Sequence, residues 1–274
     1  MKYQFYLSKS WLNDTIKAVL KALIHNKDMF KDKVVIVTGA SSGIGAETAL
    51  AFAKEGANLV ITYKDNKTGA EEIASKIIEA GGGAVIVQAD LTIDSDAKNV
   101  IERAKQEFGK IDVLVNNAGR YIDGDEWNGD CEIWTQSLLQ NLVSVMSVSR
   151  YAIEIFQQQK SGVIVSISSR YSTDGQYDAL AYAAAKAGVA NITQAYAKLL
   201  APFGRANAVS PGAVNTGYWL RAPKEELEKN LANIPSGKLV EPGEVAEKVL
   251  FLASDESLDI NGQNIFINNN NIIK

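Results

Sequence analysis

The stretch that decides the fold is Lys33–Gly45, which reads KVVIVTGASSGIG. A continuous apolar run of this kind is typical of a strand buried on both faces of a parallel sheet. The glycines after it permit a tight turn and a close approach to phosphate, and the helix that follows supplies free backbone N–H groups. The context therefore predicts a pyrophosphate site, although a turn without a ligand is the alternative. The expected contacts are Gly39, Ser41, Ser42, Gly43, Ile44 and Gly45.

The same alternation of apolar runs and helical patterns continues along the chain. The other strand candidates are ANLVITY, GAVIVQAD, IDVLVNNAG, GVIVSISS, RANAVSPG and QNIFIN. Repeated strand–helix–strand units predict a doubly wound α/β fold with a parallel sheet, in a single domain at residues 32–274. In such folds ligands bind outside the carboxyl ends of the strands, so those ends are the places to search for a site.

Residues 1–31 are predicted to form a helical N-terminal extension. One helical face would carry Leu12, Ile16, Val19, Leu20 and Leu23. We expect this short amphipathic helix to pack on the domain or on a partner subunit. Attachment to a membrane surface and a targeting role are the alternatives.

The composition argues against several classes of function. The 274 residues carry a net charge of −4 without a basic stripe, so nucleic acid is not an expected partner. One cysteine and one histidine make a metal site improbable, and a single cysteine fits a reducing compartment, for which we predict the cytoplasm. No apolar run approaches the roughly 20 residues of a membrane span, so integral membrane association is not expected.

The end of the second predicted strand bears on which dinucleotide binds. In VITYKDNK, Tyr63 stands where a carboxylate would bind the ribose 2′-hydroxyl of NAD, and Lys64 follows it. A lysine can instead pair with the 2′-phosphate of NADP. NADP(H) is therefore favoured, while Asp65 nearby, or a Lys64 that is merely solvated, leaves NAD(H) open.

Two more strand ends predict cofactor contacts. Asp90 in QADLT is placed to meet the adenine amino group, although it could instead cap the helix that follows. The strand that ends in VNNAG finishes in small residues beside two amides, where a flat cofactor could lie. The contacts expected here are Asp90, Leu91, Asn117, Ala118 and Gly119.

One helical stretch, YAAAK, carries candidate chemistry. Tyr182 and Lys186 lie one turn apart on the same helical face. A phenol with a reference pKa of about 10 is a poor proton donor near neutrality, and a neighbouring ammonium would lower that pKa. The pair is a candidate general acid–base, and a surface contact without function is the alternative.

Taken together, TGASSGIG, NNAG, SISS, YAAAK and SPG make the sequence resemble the short-chain dehydrogenase/reductase family, in the group with a Tyr-x-x-x-Lys active site. The resemblance covers about residues 33–267, and the overall pattern is most similar to 3-oxoacyl-acyl-carrier-protein reductases. It implies a single-domain Rossmann-type enzyme that moves a hydride between a nicotinamide and a carbonyl or alcohol. A homo-oligomer, dimer or tetramer, is also implied, although INNNN replaces the usual glycine-rich segment after the last strand.

The resemblance also implies roles for individual residues. Tyr182 would donate a proton to the carbonyl oxygen, and Lys186 would lower the pKa of Tyr182 and hold the nicotinamide ribose. Ser169, rather than Ser168, would hydrogen-bond the reacting oxygen, and Asn141 would hold a water that links the lysine to solvent. The nicotinamide would be bordered by Pro211, Gly212, Val214 and Thr216.

The substrate is less well defined than the reaction. Tyr218 and Trp219 fall where the family has a variable lid, and they could contact the substrate or be core aromatics. We expect an NADP(H)-dependent reductase of ketones or 3-oxoacyl thioesters. The alternatives are an alcohol or sugar dehydrogenase of the glucose-dehydrogenase type, and a nicotinamide-binding sensor or scaffold without turnover.

Overall fold

The computed structural model describes residues 28–267. The amphipathic helix predicted for the N-terminal extension and the asparagine run that follows Ile267 lie outside these residues, so both stay predictions. Phe30, which the sequence analysis assigns to the extension, is only 3% exposed, and its ring lies 4.6 Å from that of Phe52. The packed part of the chain therefore includes residues just before the predicted boundary at residue 32.

Within the described residues, one sheet contains seven parallel strands in the order β3-β2-β1-β4-β5-β6-β7. The strands are β1 (Val34–Val37), β2 (Asn58–Tyr63), β3 (Ala84–Gln88), β4 (Val113–Asn116), β5 (Gly162–Ile167), β6 (Gly204–Pro211) and β7 (Asn264–Ile267). Each predicted strand is confirmed. The order of strands reverses between β1 and β4, and the ends of these two strands flank the crevice where doubly wound folds bind ligands.

Helices cover both faces of the sheet. They are α1 (Gly43–Lys54), α2 (Lys67–Glu79), α3 (Asp94–Phe108), α4 (Cys131–Leu138), α5 (Ser144–Gln159), α6 (Leu180–Leu200), α7 (Lys224–Ala232) and α8 (Pro242–Ala253). One apolar layer joins the sheet to α1, α2 and α8, and the other joins it to α3, α5 and α6. Within β1, Val35 and Val37 belong to the first layer and Ile36 to the second, because successive side chains point to opposite faces. The predicted doubly wound α/β fold is confirmed.

The helical pattern CEIWTQSLLQNLVSVMSVSRYAIEIF is interrupted in the structure. A π-helical segment, Leu139–Val143, separates α4 from α5. Such single turns insert an extra residue into an α-helix and are frequent at functional sites. Asn141 lies in this segment. Within residues 28–267, no helix combines the length and the apolar character needed to cross a bilayer.

Neighbouring isoleucines on α2 test the packing of the first layer. Ile77 is fully buried and Ile78 is 60% exposed. Ile77→Ala should lower the free energy of unfolding by about 2–5 kcal/mol, because it removes buried methyl groups and leaves a cavity. Ile78→Ala, the matched control, should change it by no more than about 0.5 kcal/mol. Urea unfolding measures both, and equal effects would contradict the packing described.

Candidate active site

The loop between β1 and α1 packs directly against the residues that follow β4. Gly39 has a φ of +63°, and a Cβ there would lie 2.9 Å from Cα of Ala118. A Cβ on Gly45 would overlap the side-chain amide of Asn117. Larger residues at either glycine would therefore push the two segments apart. TGASSGIG and NNAG, predicted separately as cofactor segments, form one continuous surface.

The Asn117 side chain holds this loop in place. Its Nδ2 donates to the carbonyl oxygens of Thr38, at 2.9 Å, and Gly39, at 3.0 Å. The hydroxyl of Thr38 in turn accepts from the backbone N–H groups of Asn117 and Ala118, at 2.9 and 3.0 Å. Asn117 therefore shapes the loop, and its predicted contact with a cofactor stays a prediction.

The N-terminus of α1 suits an anionic group. Its N-cap, Ser42, makes no side-chain capping bond, and no acidic residue lies in the first turn. The first backbone N–H groups of a helix lack intrahelical partners and carry a partial positive charge. A Cβ on Gly43 would lie 3.3 Å from Cγ2 of Thr216, so Thr216 lies beside this loop. The arrangement fits a pyrophosphate, since the first turn of α1 offers N–H donors and carries no carboxylate.

An ion pair joins the ends of β2 and β3. Nζ of Lys64, 52% exposed, lies 2.7 Å from Oδ2 of Asp90. Oδ1 of Asp90 accepts from the backbone N–H and the hydroxyl of Thr92, at 3.1 and 2.7 Å. Burial opposes ionisation of Asp90, but the hydrogen bonds from Lys64 and Thr92 and the charge of Lys64 hold its pKa below the usual range.

The sequence predicts cofactor contacts for Asp90, Leu91 and Tyr63, and the structure shows where each of them lies at the ends of β2 and β3. The N-cap of α3 is Ile93, so the alternative reading of Asp90 as a helix cap is wrong. The side chain of Leu91 is buried in the apolar layer under α3 and therefore faces the core. Tyr63 is buried at the end of β2, leaving Lys64 as the exposed group there.

The segment after β6 is expected to turn at SPG and then border the nicotinamide, and the turn differs in where it starts. Strand β6 extends to Pro211, so the turn starts later than SPG suggests. Gly212 N donates to the carbonyl of Ile267, at 2.7 Å. Val214 is buried and pairs with Val240 in a short parallel bridge. This places Thr216 at the edge of the crevice, next to Gly43.

The structure brings Tyr182, Ser169 and Lys186 together. The hydroxyl of Ser169 accepts from the backbone N–H of Tyr171, at 3.2 Å, and lies close enough to Tyr182 to lower the pKa of its phenol. The neighbouring Ser168 points away and donates to the carbonyl of Lys186, at 2.8 Å. The selection of Ser169 over Ser168 is thus consistent with the geometry. Nζ of Lys186 donates to the carbonyl of Ile167, at 2.9 Å, and lies 5.5 Å from the centre of the Tyr182 ring.

Burial controls the ionisation of this pair. Burial raises the pKa of Tyr182 to about 12, and the nearby hydroxyl of Ser169 only partly opposes it. Burial also lowers the pKa of Lys186 to about 8. Nζ of Lys186 bonds a carbonyl here and the loss of water dominates the pKa of Tyr182, so the lowering of that pKa by Lys186 stays a prediction. At neutral pH Tyr182 is a protonated phenol, which is the form that donates a proton.

Asn141 lies behind this group, fully buried in the π-helical segment. Its Nδ2 donates to the carbonyls of Arg120, at 2.9 Å, and Ser137, at 3.0 Å. Its Oδ1 has no hydrogen-bond partner among the residues that the structure describes. A Cβ on Gly119 would lie 2.6 Å from this oxygen. Gly119 and Asn141, predicted from separate motifs, therefore lie in contact.

Two aromatic rings that the sequence motifs did not single out lie beside Tyr182. The ring centres of Tyr121 and Tyr171 lie 6.3 and 6.4 Å from that of Tyr182. Tyr218 lies 6.3 Å from Tyr121, and Trp219 lies 5.0 Å from Tyr218. All four pairs meet edge to face, and Tyr218 is 46% exposed. Of its two interpretations, the structure favours a site-facing Tyr218 over a core residue.

A simple signal could have found the missed rings. Tyr121 stands two residues after NNAG, and Tyr171 stands two residues after Ser169. Tyr121 lies five residues beyond the end of β4 and Tyr171 four residues beyond the end of β5, at the edge of the sheet where ligands bind in this fold. Aromatic residues just beyond such strand ends are candidates for lining a binding site.

Known proteins are similar to this chain over most of its length. Residues 39–269 match the family described as Enoyl-(Acyl carrier protein) reductase. A 3-oxoacyl-[acyl-carrier-protein] reductase of Thermotoga maritima is 39% identical over 245 residues, covering 88% of this chain and 98% of that protein. A cis-4-hydroxycyclohexanecarboxylate dehydrogenase of Sinomonas cyclohexanicum is 38% identical over 230 residues, covering 83% and 92%.

A solved structure is similar over the same region. A variant of actinorhodin polyketide ketoreductase, crystallised with NADPH, superposes with a TM-score of 0.80 at 29% identity. The match covers 87% of this chain and 98% of that one. Motifs, fold, family match and relatives agree, and the chain belongs to the short-chain dehydrogenase/reductase family of oxidoreductases.

Proposed function

We propose that this protein reduces ketones with NADPH, including 3-oxoacyl thioesters of the kind named for the Thermotoga relative. The observation that carries the proposal is the grouping of the half-buried phenol of Tyr182 with Ser169 and with Lys186, whose Nζ lies 5.5 Å from the centre of the Tyr182 ring. The protonated phenol is the form that donates a proton in reduction, and the phenolate of the same group accepts one in oxidation. The alcohol or sugar dehydrogenase therefore stays an alternative. The assembled residues argue against a scaffold without turnover.

The residues have distinct tasks in the reaction. When bound in this crevice, a nicotinamide would supply the hydride that the carbonyl carbon accepts. Tyr182 transfers its phenolic proton to the carbonyl oxygen, and Ser169 donates a hydrogen bond to the same oxygen as negative charge develops there. The ammonium of Lys186 stabilises the phenolate that remains. Hydride and proton together convert the ketone to an alcohol, and solvent returns the proton to Tyr182.

The cofactor would lie along the crevice between β1 and β4. The free N–H groups at the start of α1 and the surface made by Gly39 and Ala118 would hold the pyrophosphate. Lys64 and Asp90 would meet the adenosine end. Lys186 and Thr216 would border the nicotinamide end. The NADPH of the ketoreductase relative supports this choice, while use of NADH stays an open alternative.

The ring cluster around Tyr182 bears on substrate class. The faces and edges of Tyr121, Tyr171 and Tyr218 offer apolar contact next to the reacting group. We infer that an apolar group adjoins the substrate carbonyl. Both a 3-oxoacyl chain and a ring compound satisfy this requirement, and the two relatives described above are named for a 3-oxoacyl carrier protein and for a hydroxycyclohexanecarboxylate.

We also propose a homo-oligomer. Four apolar side chains between 37% and 46% exposed lie along α4, the π-helical segment and α5. A second copy of this chain would cover them. They are Leu138, Leu139, Val143 and Met146. A cytoplasmic location stays a prediction that rests on the single cysteine, Cys131.

Tyr182→Phe tests the proton donor. Loss of the hydroxyl should lower kcat for ketone reduction at least about a hundredfold, because a general acid is removed, while NADPH binding stays nearly unchanged. Tyr196→Phe is the control, since it removes one hydroxyl from the same helix away from the site and should keep kcat within about twofold. Steady-state kinetics give the answer. An active Tyr182→Phe protein would assign the proton donor elsewhere.

The pH dependence should follow Lys186 rather than Tyr182. With a pKa of about 8, Lys186 loses its charge as the pH rises through that value, whereas Tyr182, at about 12, stays protonated. We expect kcat for reduction to fall between about pH 7 and about pH 10, because the phenolate formed loses its stabilising charge. Measurements at saturating NADPH and ketone test this. A rate that stays constant to about pH 10 would contradict the role of Lys186.

Lys64→Ala tests the choice of cofactor. Loss of this cation should weaken NADPH binding about tenfold, or about 1.4 kcal/mol, and leave NADH binding unchanged. Lys98→Ala, which removes an exposed lysine of α3 that pairs with Glu102, is the control. Titrations followed by nicotinamide fluorescence measure the dissociation constants. An equal loss for both cofactors would show that Lys64 does not read the 2′-phosphate.

A further inference from the structure

The helix that carries Tyr182 is capped from a distant part of the chain. The N-cap of α6 is Ala179, which has no capping group. Leu180 N donates to the backbone carbonyl of Asp125, at 2.8 Å. The Asp125 carboxylate accepts from Ala181 N through Oδ1, at 2.7 Å, and from Tyr182 N through Oδ2, at 2.8 Å. Asp125 thus satisfies three N–H groups of the first turn, a task normally done by the N-cap residue.

The carboxylate of Asp125 is completely buried. None of the ion pairs found within residues 28–267 includes it. Its charge is balanced instead by the two N–H donors, by the hydroxyl of Ser137, which donates to Oδ2 at 2.6 Å, and by the positive end of α6. A buried charge of this kind is costly unless its hydrogen bonds are kept. The loop after β4 and the start of α6 therefore hold each other in one geometry.

The same contact reaches a second residue of the site. Ser137 lies in α4, and its carbonyl accepts from Nδ2 of Asn141, at 3.0 Å. One buried carboxylate therefore links the backbone of Tyr182 to the residue that anchors Asn141. The linkage crosses three elements: the loop after β4, the α4–π segment and α6.

We propose that Asp125 is a positioning residue for proton transfer, which fixes the backbone of Tyr182 and, through Ser137, its relation to Asn141. The proposal rests on the proposed role of Tyr182 as proton donor. Asp125 acts through Tyr182 and does not touch the substrate. A displacement of about 1 Å can cost about a hundredfold in rate, so these bonds set kcat without adding to cofactor affinity.

Asp125→Asn is the first test, because it keeps the shape and removes one acceptor and the charge. We expect kcat to fall at least about tenfold while the dissociation constant of NADPH stays within about threefold. Amide hydrogen exchange should speed up in the peptide that contains Ala181 and Tyr182. Asp130→Asn, which removes an exposed carboxylate without a capping bond from the same segment, is the control and should change neither measurement.

The combined measurements separate the possible failures. A folded Asp125→Asn protein with native kcat overturns the positioning role. A parallel loss of kcat and NADPH binding also overturns it, since it shows a general loss of structure. If Asp125→Asn speeds exchange at the start of α6 but Tyr182→Phe remains active, the capping contact is supported. The assignment of Tyr182 as the proton donor, and with it the positioning role of Asp125, is then rejected.

Ser137→Ala tests the link to Asn141 and keeps the proposal falsifiable if Asp125→Asn does not fold. It removes one donor to Asp125 and leaves the bonds to α6 in place. We expect a fall in kcat of about threefold to tenfold with unchanged NADPH binding and unchanged exchange at the start of α6. A kcat within the error of the native value would overturn the coupling through Ser137.

Discussion

The contact between the first glycine loop and the end of β4 is the constraint on which the rest of the site depends. Gly39 and Gly45 allow the loop to approach Asn117 and Ala118 more closely than any side chain would permit. The Asn117 amide then fixes the loop through two carbonyl groups. Since this contact lies where the strand order reverses, it sets the width of the crevice. The elements that carry Tyr182 and Thr216 are arranged around that opening.

Much of the fold could be predicted because its signals are local. Most strands are short runs rich in valine or isoleucine, and in the central strands β1 and β4 burial on both faces follows from that composition. Tyr182 and Lys186 are four residues apart on one helix, so their proximity needs no tertiary information. Ser169 and Asn141 came from the resemblance to a family. Tyr182, Lys186 and Ser169 lie together in the structure, and Asn141 lies in the π-helical segment that packs against the same helix.

Other features depend on distances that a sequence does not contain. Asp125 caps a helix from 56 and 57 positions away, and the alanine at the N-cap gives no sign of it. The loss of water around Tyr182, which raises the pKa of its phenol, is also absent from the sequence, because a neighbouring charge can be read from spacing whereas burial cannot. The pairing of Lys64 with Asp90 also joins two strand ends that are far apart in the chain.

The π-helical segment has a consequence for how this chain can vary. An α-helix advances about 100° per residue, so the residue added between α4 and α5 turns one helix relative to the other by about that angle. Removing it would restore regular hydrogen bonding at Asn141 but would rotate Val148, Ala152 and Phe156 of α5 away from the sheet. A single-residue deletion in this segment would thus lower the stability of the core as well as disturb the active site. The irregular turn is protected by packing that lies several turns away from it.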